Sequence, residues 1–274
     1  MCNFADTQNG VSNVVLFCGM FKLQKFIKMK ILVCISHVPD TTSRINFTDG
    51  DTKFDSNGVQ FVINPNDEFG LTRAMWFKEK QGATVHVVNV GGPETEPTLR
   101  KALAIGADEA IRINTPATDG FSVAKHLANV VKEGGYDLVI AGRESIDYNG
   151  GMVPGMIAKL TGTNFVNTCI GLEVEGSTAT AIREIDGGKE TLKTSLPLVI
   201  GGQKGLVEES DLRIPNMRGI MQARKKPLHV RDAVDTDQPT QTVAFEKPQP
   251  KGAVKLVDNV DELIDLLHNE AKVI

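Results

Sequence analysis

The chain has 274 residues, enough for one large domain or two small ones, and its 41% hydrophobic and 23% charged residues are the proportions of an ordinary globular protein. A net charge of −4 gives no electrostatic reason to expect nucleic acid as a partner, and no apolar run is long enough for membrane insertion. The four cysteines, Cys2, Cys18, Cys34 and Cys169, lie far apart and form no CxxC. Disulfides and a zinc site are therefore not expected, a reducing compartment is, and Cys34 and Cys169 read as small buried hydrophobes.

Taken in order, the chain begins with an apolar stretch, Val14 to Phe21, that is short and has no basic region before it, so it makes a poor signal peptide. Met29 opens a clean strand through Ile35. We therefore read 1–28 as an upstream extension outside the fold. A turn cluster at His37–Thr42 follows. Asn64 suits a helix N-cap, Pro65 the first helical position, and Asp67 and Glu68 the positive end of a helix that runs to about Gln81 and stops at Gly82. Thr84–Val90 reads as a strand broken by Gly91-Gly92-Pro93. Thr95 can cap a helix ending at Gly106, and Glu109–Ile113 is a short strand. Asp119 caps a helix in which Val123, Leu127 and Val131 share a face, stopped by Gly134-Gly135.

Leu138–Ala141 is a short apolar run of the kind buried in a parallel sheet, and Gly142 ends it. The loop beyond it carries Arg143, Ser145, Asp147 and Asn149, then Gly150, Gly151 and Met152, before a helix begins. Repeated βα units predict an α/β fold, a doubly wound parallel sheet of the Rossmann-like, adenine-nucleotide-binding type with helices on both faces. Ligands of such sheets bind outside the carboxyl ends of the strands. The loops Ser36–Thr41, Asn64–Asp67, Gly91–Gly92 and Gly142–Met152 should converge there, with backbone N–H groups free for an anion. On the residues alone, an ordinary polar βα loop remains the alternative, since no GxGxxG or Walker motif is present.

From Asn164 the pattern changes. Thr178–Ile185 and Glu190–Thr194 flank Asp186-Gly187-Gly188-Lys189, which predicts an antiparallel hairpin. Pro197–Ile200 is a further strand. Gln203 to Lys226 reads as a polar, basic loop. The remainder reads as an extended arm with a short helix at Val260–Glu270, carried by Leu263, Ile264 and Leu267. The domains expected are 29–227, including the loop 203–226, and the arm 228–274.

The hairpin also carries a resemblance. Ile182-Arg183-Glu184-Ile185-Asp186-Gly187-Gly188-Lys189-Glu190-Thr191-Leu192, followed by Pro197, is similar to the signature of the beta (small) subunit of electron-transfer flavoproteins. The likeness extends over 29–274. It takes in Met29–Thr41, Asn64-Pro65, Ala102–Asp108, Gly142–Asp147 and Pro215–Lys226. It implies a heterodimer with a larger alpha subunit that takes electrons from flavin dehydrogenases, such as acyl-CoA dehydrogenases, and passes them to a quinone oxidoreductase or other acceptor. It implies redox-active FAD mainly in the alpha subunit, and AMP, or a second FAD in electron-bifurcating members, in the beta subunit. The segment Val38-Pro39-Asp40-Thr41 looks more like bifurcating members. By matching position the nucleotide contacts fall on Cys34, Asn64, Pro65, Asn66, Asp67, Gly91 and Gly142 through Val153; Ser36 joins them from the first loop. The compartment implied is the cytoplasm of a bacterium or the mitochondrial matrix of a eukaryote.

No catalytic residue is expected, since the cofactor carries the chemistry of electron transfer. A regulatory, stress-protein-like nucleotide-binding module would also show the βα repeats but would need neither hairpin nor tail. An ATP-pyrophosphatase needs a Ser-Gly-Gly type loop where this chain has Ser36-His37-Val38-Pro39. In the family the stretch around Met217 resembles the loop that anchors a hydrophobic residue in the dehydrogenase. Met217 matches the anchor, with Ile214, Arg218, Arg224 and Lys225 beside it. On the residues alone, the blander reading is that Ile214, Ile220 and Met221 pin the loop to the core. The arm 228–274 has too few apolar residues to fold alone and is expected to lie on the alpha subunit.

Overall fold

The computed structural model describes residues 28–237, 239–250 and 252–274. Apart from Lys28, the expected N-terminal extension lies outside the described residues, as do Cys2 and Cys18.

In chain order the elements are β1 (Lys30–Cys34), β2 (His37–Pro39), β3 (Phe47–Thr48), β4 (Lys53–Phe54), β5 (Phe61–Ile63), α1 (Pro65–Gln81), β6 (Thr84–Val90), α2 (Glu96–Ile105) and β7 (Glu109–Ile113). Then come α3 (Gly120–Gly134), β8 (Leu138–Gly142), α4 (Val153–Thr161), β9 (Asn164–Glu175), β10 (Thr178–Ile185), β11 (Gly188–Ser195), β12 (Leu198–Gly202), α5 (Met217–Ala223), β13 (Leu228–Arg231) and α6 (Val260–Asp265). A nine-stranded sheet takes the order β11-β10-β9-β12-β8-β1-β6-β7-β13. Its pairs are parallel from β9 across to β13, and the pairs β9–β10 and β10–β11 are antiparallel. This mixed α/β architecture is compatible with a Rossmann-like fold.

The apolar runs explain the layering. Strands β8 and β12 are buried along their whole length, as strands covered on both faces must be. Along β1, alternate residues serve opposite faces. Ile31 and Val33 join Leu71, Ala74 and Met75 of α1 and Leu99 and Leu103 of α2, whereas Leu32 and Cys34 join Ala124, Leu127 and Val131 of α3 and Ile157 of α4. Helices thus cover both faces.

Several sequence expectations need correcting. The hairpin forms as β10–β11, but the segment before it, Asn164–Glu175, is also a strand, and it makes the antiparallel unit a three-stranded meander. The basic loop contains a helix, α5, capped by the Asn216 side chain, which accepts the N–H of Gly219 at 2.8 Å. The arm starts as a ninth strand, β13, on the edge of the main sheet, where Leu228–Arg231 pairs with Ala110–Ile113. Asp119 caps α3 as expected, accepting from Phe121 and Ser122. Thr95 does not cap α2 with its side chain, since its hydroxyl donates back to Gly92 O at 2.9 Å. Among the described residues, no helix is long and apolar enough to cross a membrane.

Candidate functional site

Asp67 is the centre of the carboxyl edge of the sheet. It sits in the first turn of α1 and is fully buried. Its Oδ2 accepts the Ser36 N–H at 2.7 Å, just past β1, and its Oδ1 accepts the Gly142 N–H at 2.8 Å, at the end of β8. One carboxyl thus ties two strand ends to one helix. Burial pushes Asp67 up to about 7, while hydrogen bonds from Ser36, Asn64 and Gly142 pull the other way. The Cys34 thiol next to it is raised well above its ordinary value, first by burial and then by the negative charge of Asp67, which leaves it an inert packing group.

Asn64 was expected to cap α1 with its side chain. Its position is right and its role differs. The backbone carbonyl of Asn64 accepts from Asp67 and Glu68, while its side chain turns into the loop after β8. Nδ2 donates to Glu144 O at 2.9 Å and Oδ1 accepts the Ile146 N–H at 3.2 Å. The neighbouring Asn66 Nδ2 donates to the same Glu144 carbonyl at 3.1 Å. That loop would otherwise leave polar backbone groups unpaired against α1, and the two amides satisfy them. Gly142 is required by the close approach. A Cβ there would run into Asp67 Oδ1 and come within 2.9 Å of Asn64 Nδ2.

The rest of the loop becomes exposed from Asp147 to Met152. Arg143 N donates to Gly202 O at 2.7 Å, and its guanidinium is held by Glu144 and by Gln203 Oε1 at 3.2 Å. Gln203 in turn donates to Glu184 Oε2 at 2.6 Å. Arg143 is therefore committed to a chain of side chains leading to β10 instead of standing free as a cation. Ser145 O accepts from Asn149 N at 2.8 Å, and Asp147 Oδ1 accepts from Tyr148 N. Gly151 has φ +62°, a conformation that L side chains rarely adopt. Met152 then occupies the N-cap position of α4, with Val153 as its first residue and Pro154 next. The first N–H groups of a helix lack internal partners, so this end attracts anions. The Met152 thioether lies over the start of α3, where a Cβ on Gly120 would come within 2.8 Å of its sulfur. Gly91 closes the edge one strand beyond β1, donating to Ile113 O at 3.0 Å and accepting from Arg112 Nη1 at 3.1 Å.

Sequence reasoning located Cys34, Ser36, Asn64, Pro65, Asn66, Asp67, Gly142, Arg143 and Ser145, and the structure brings them together. It missed Asn89, whose Nδ2 donates to Ile35 O at 2.8 Å and ties the end of β6 to β1. The available signal was a lone amide inside a β-branched run. It also missed Gln203 and Glu184, for which no local signal exists.

A second surface lies on the outer side of α2. Arg100 Nη1 donates to the carbonyls of Ala223 and Lys226, both at 2.8 Å. Lys226 Nζ donates to Leu103 O at 2.8 Å and Ala107 O at 2.6 Å. Arg213 pairs with Glu79 at 2.8 Å. The ends of 212–226 are thus fixed by cations, with Ala223 buried and Leu212 packed on the core. Between them Ile214 is 86% and Met217 76% exposed, and Met221, Arg218, Arg224 and Lys225 are exposed as well. The reading of Ile214 and Met221 as pins is therefore wrong, because the pins are polar. Ile220 is intermediate in role: with Pro97, Ala104, Pro215 and Arg224 it lines a hollow of about 640 Å³ beside the loop. Farther on, Phe245 stacks on Phe47 with centroids 4.7 Å apart, and Leu263 and Leu267 share a small hollow with Val257, while Ile264 is exposed.

Comparison with known proteins returns one family over most of this architecture. Residues 51–236 match the electron transfer flavoprotein domain. The chain is 36% identical over 262 residues to the electron transfer flavoprotein subunit beta of Bacillus subtilis, covering 90% of this chain and 100% of that protein. It is 34% identical to the subunit beta of Syntrophomonas wolfei, covering 90% and 99%, and 34% identical to the mitochondrial subunit beta of Arabidopsis thaliana, covering 90% and 100%.

Proposed function

The chain belongs to the electron transfer flavoprotein family as a beta subunit, and from that premise we propose that its sheet-edge loops hold an adenine nucleotide while its 212–226 loop docks flavin dehydrogenases. The family works by flavin-linked electron transfer and implies an alpha-subunit partner. The finer assignment is ours. Redox-active FAD sits mainly in the alpha subunit, AMP sits in the beta subunit, and electrons pass from acyl-CoA-type dehydrogenases to a quinone oxidoreductase. The place of work is the cytoplasm of a bacterium or the mitochondrial matrix.

The observation that carries the nucleotide assignment is the Asp67 knot. It fixes three loops at one edge of the sheet, with carboxyl and amide side chains satisfying the N–H groups of Ser36, Gly142 and Ile146 and the Glu144 carbonyl, and the exposed Gly150 and Gly151 lie just beyond it. A phosphate suits such a surface, since the N-terminal end of α4 and the glycine backbone at Gly150 and Gly151 offer N–H donors without a side chain in the way. The FAD of the alpha subunit supplies the redox chemistry when bound. The residues of this chain bind, orient and position. Of the arm 228–274, the part beyond β13 and the segment on α3 lies on the alpha subunit, with Leu263, Ile264 and Leu267 as anchors.

The test is to co-purify both subunits, denature the complex, and count AMP and FAD per heterodimer. One AMP and one FAD are expected. Gly151→Val should lose AMP, because the left-handed backbone at that position resists a β-branched residue, and should keep FAD. Full AMP occupancy in the variant would sink the placement, and two FAD per heterodimer would replace AMP by a second flavin.

A further inference from the structure

We propose that His126 is a proton-sensitive latch that holds the segment after β13 against α3. This goes beyond electron transfer and does not depend on which nucleotide or dehydrogenase the protein binds. Residues 231–236 run back along α3, making three polar contacts in reverse order. Arg231 Nη1 meets Glu133 Oε2 at 2.8 Å, the Val234 N–H donates to His126 Nδ1 at 3.3 Å, and Thr236 Oγ1 meets Ser122 Oγ at 3.1 Å. Ser122 and His126 are one helical turn apart on a single stripe of α3. They are 2% and 3% exposed. The segment covers them with Val234 and Thr236, while the alternate residues Asp235 and Asp237 face solvent.

The middle contact works in one protonation state only. Nδ1 accepts from Val234 when the ring is neutral with its proton on Nε2. A proton on Nδ1 turns the acceptor into a donor and sets two N–H groups against each other. Among the described residues, no acidic side chain is paired with the ring to offset the charge. Lys125, on the same helix, opposes it. Arg231 is committed to Glu133, Asp232, Asp235 and Asp237 are exposed, and α4 and the sheet face under α3 bring apolar side chains such as Met156 and Ile113. Burial, and then Lys125, hold the ring below its ordinary value of 6.5. The sign follows. With the latch closed the ring resists protonation, and with the latch open it titrates normally. Closure is fully stable above about 6.5 and is lost as pH falls below that.

The test is amide hydrogen exchange of 232–237 in the full chain bound to its alpha subunit, corrected for the intrinsic pH dependence of exchange. One pH unit below 6.5 a free imidazole is about 90% protonated, so protection should fall between pH 7.5 and pH 5.5, by at most about tenfold. His126→Asn keeps a neutral acceptor at the Nδ1 position and should remove that ratio. Ser122→Ala should lower protection at both pH values and leave the ratio intact. Equal protection of the wild type at the two pH values would overturn the latch, as would the wild-type ratio persisting in His126→Asn. Should His126→Asn fail to fold, His126→Phe takes its place, with low protection and no ratio expected.

Discussion

The Asp67 edge and the 212–226 loop are built in opposite senses. At the Asp67 edge, carboxyl and amide side chains turn inward and satisfy backbone, and the exposed Gly150 and Gly151 lead from there into α4. On the outer side of α2, cations turn inward and pin carbonyls, so that Ile214, Met217 and Met221 face outward. Each surface is held rigid by polar bonds, and what is left over differs. Backbone donors suit a small anion, while flexible apolar side chains suit the pocket of another protein. The same logic explains the basic run at Arg224-Lys225-Lys226, in which Lys226 is a structural pin and the other two remain exposed.

The largest effect should come from breaking the first of these. Asp67→Ala leaves the N–H groups of Ser36 and Gly142 buried without an acceptor. It should destabilise by about 3 kcal/mol, at one to three for each orphaned donor, in a denaturant titration. Gly142→Val attacks the same knot sterically and should cost about 2 kcal/mol through its clash with Asp67. The pH dependence sharpens the point. Asp67 titrates near 7 in the folded chain against 3.8 ordinarily. Its contribution to stability is therefore greatest below the unfolded value and declines as pH rises from about 4 to about 7. The decline is at most about 1.4 kcal/mol per pH unit, and the part due to Asp67 should vanish in Asp67→Asn.

Much of the first surface was legible in the sequence because its parts are local. Asn64-Pro65-Asn66-Asp67 marks a helix start by its own chemistry, and Leu138–Ala141 marks a buried strand by its composition. The role of the Asn64 side chain was not legible, since it depends on what lies 80 residues away in the folded chain. The strand Asn164–Glu175 was hidden by Asn167, Thr168, Gly171 and the Glu173–Glu175 charges, and its place comes from pairing with β10 and β12. The short helix α5 escaped because Gly219 interrupts it. Its stop is set by Arg100, 123 residues from Ala223. Strand β13 owes its existence to the open edge of β7.

Breaking the second surface should have smaller effects on stability. Arg100→Met removes the donor to Ala223 and Lys226 and should cost about 1 kcal/mol in thermal unfolding, with faster exchange confined to 217–226.

The smallest effect on stability, and the most direct test of the division of labour, comes from Met217→Ala. Truncating an exposed side chain should change stability by less than about 0.5 kcal/mol. The measurement is stopped-flow reduction of the heterodimer flavin by a substrate-reduced acyl-CoA dehydrogenase, alongside the AMP and FAD count. The expected rate is about tenfold lower, equivalent to about 1.4 kcal/mol of lost docking or barrier energy, with AMP and FAD both retained. A wild-type rate, or a loss of AMP together with the rate, would contradict it.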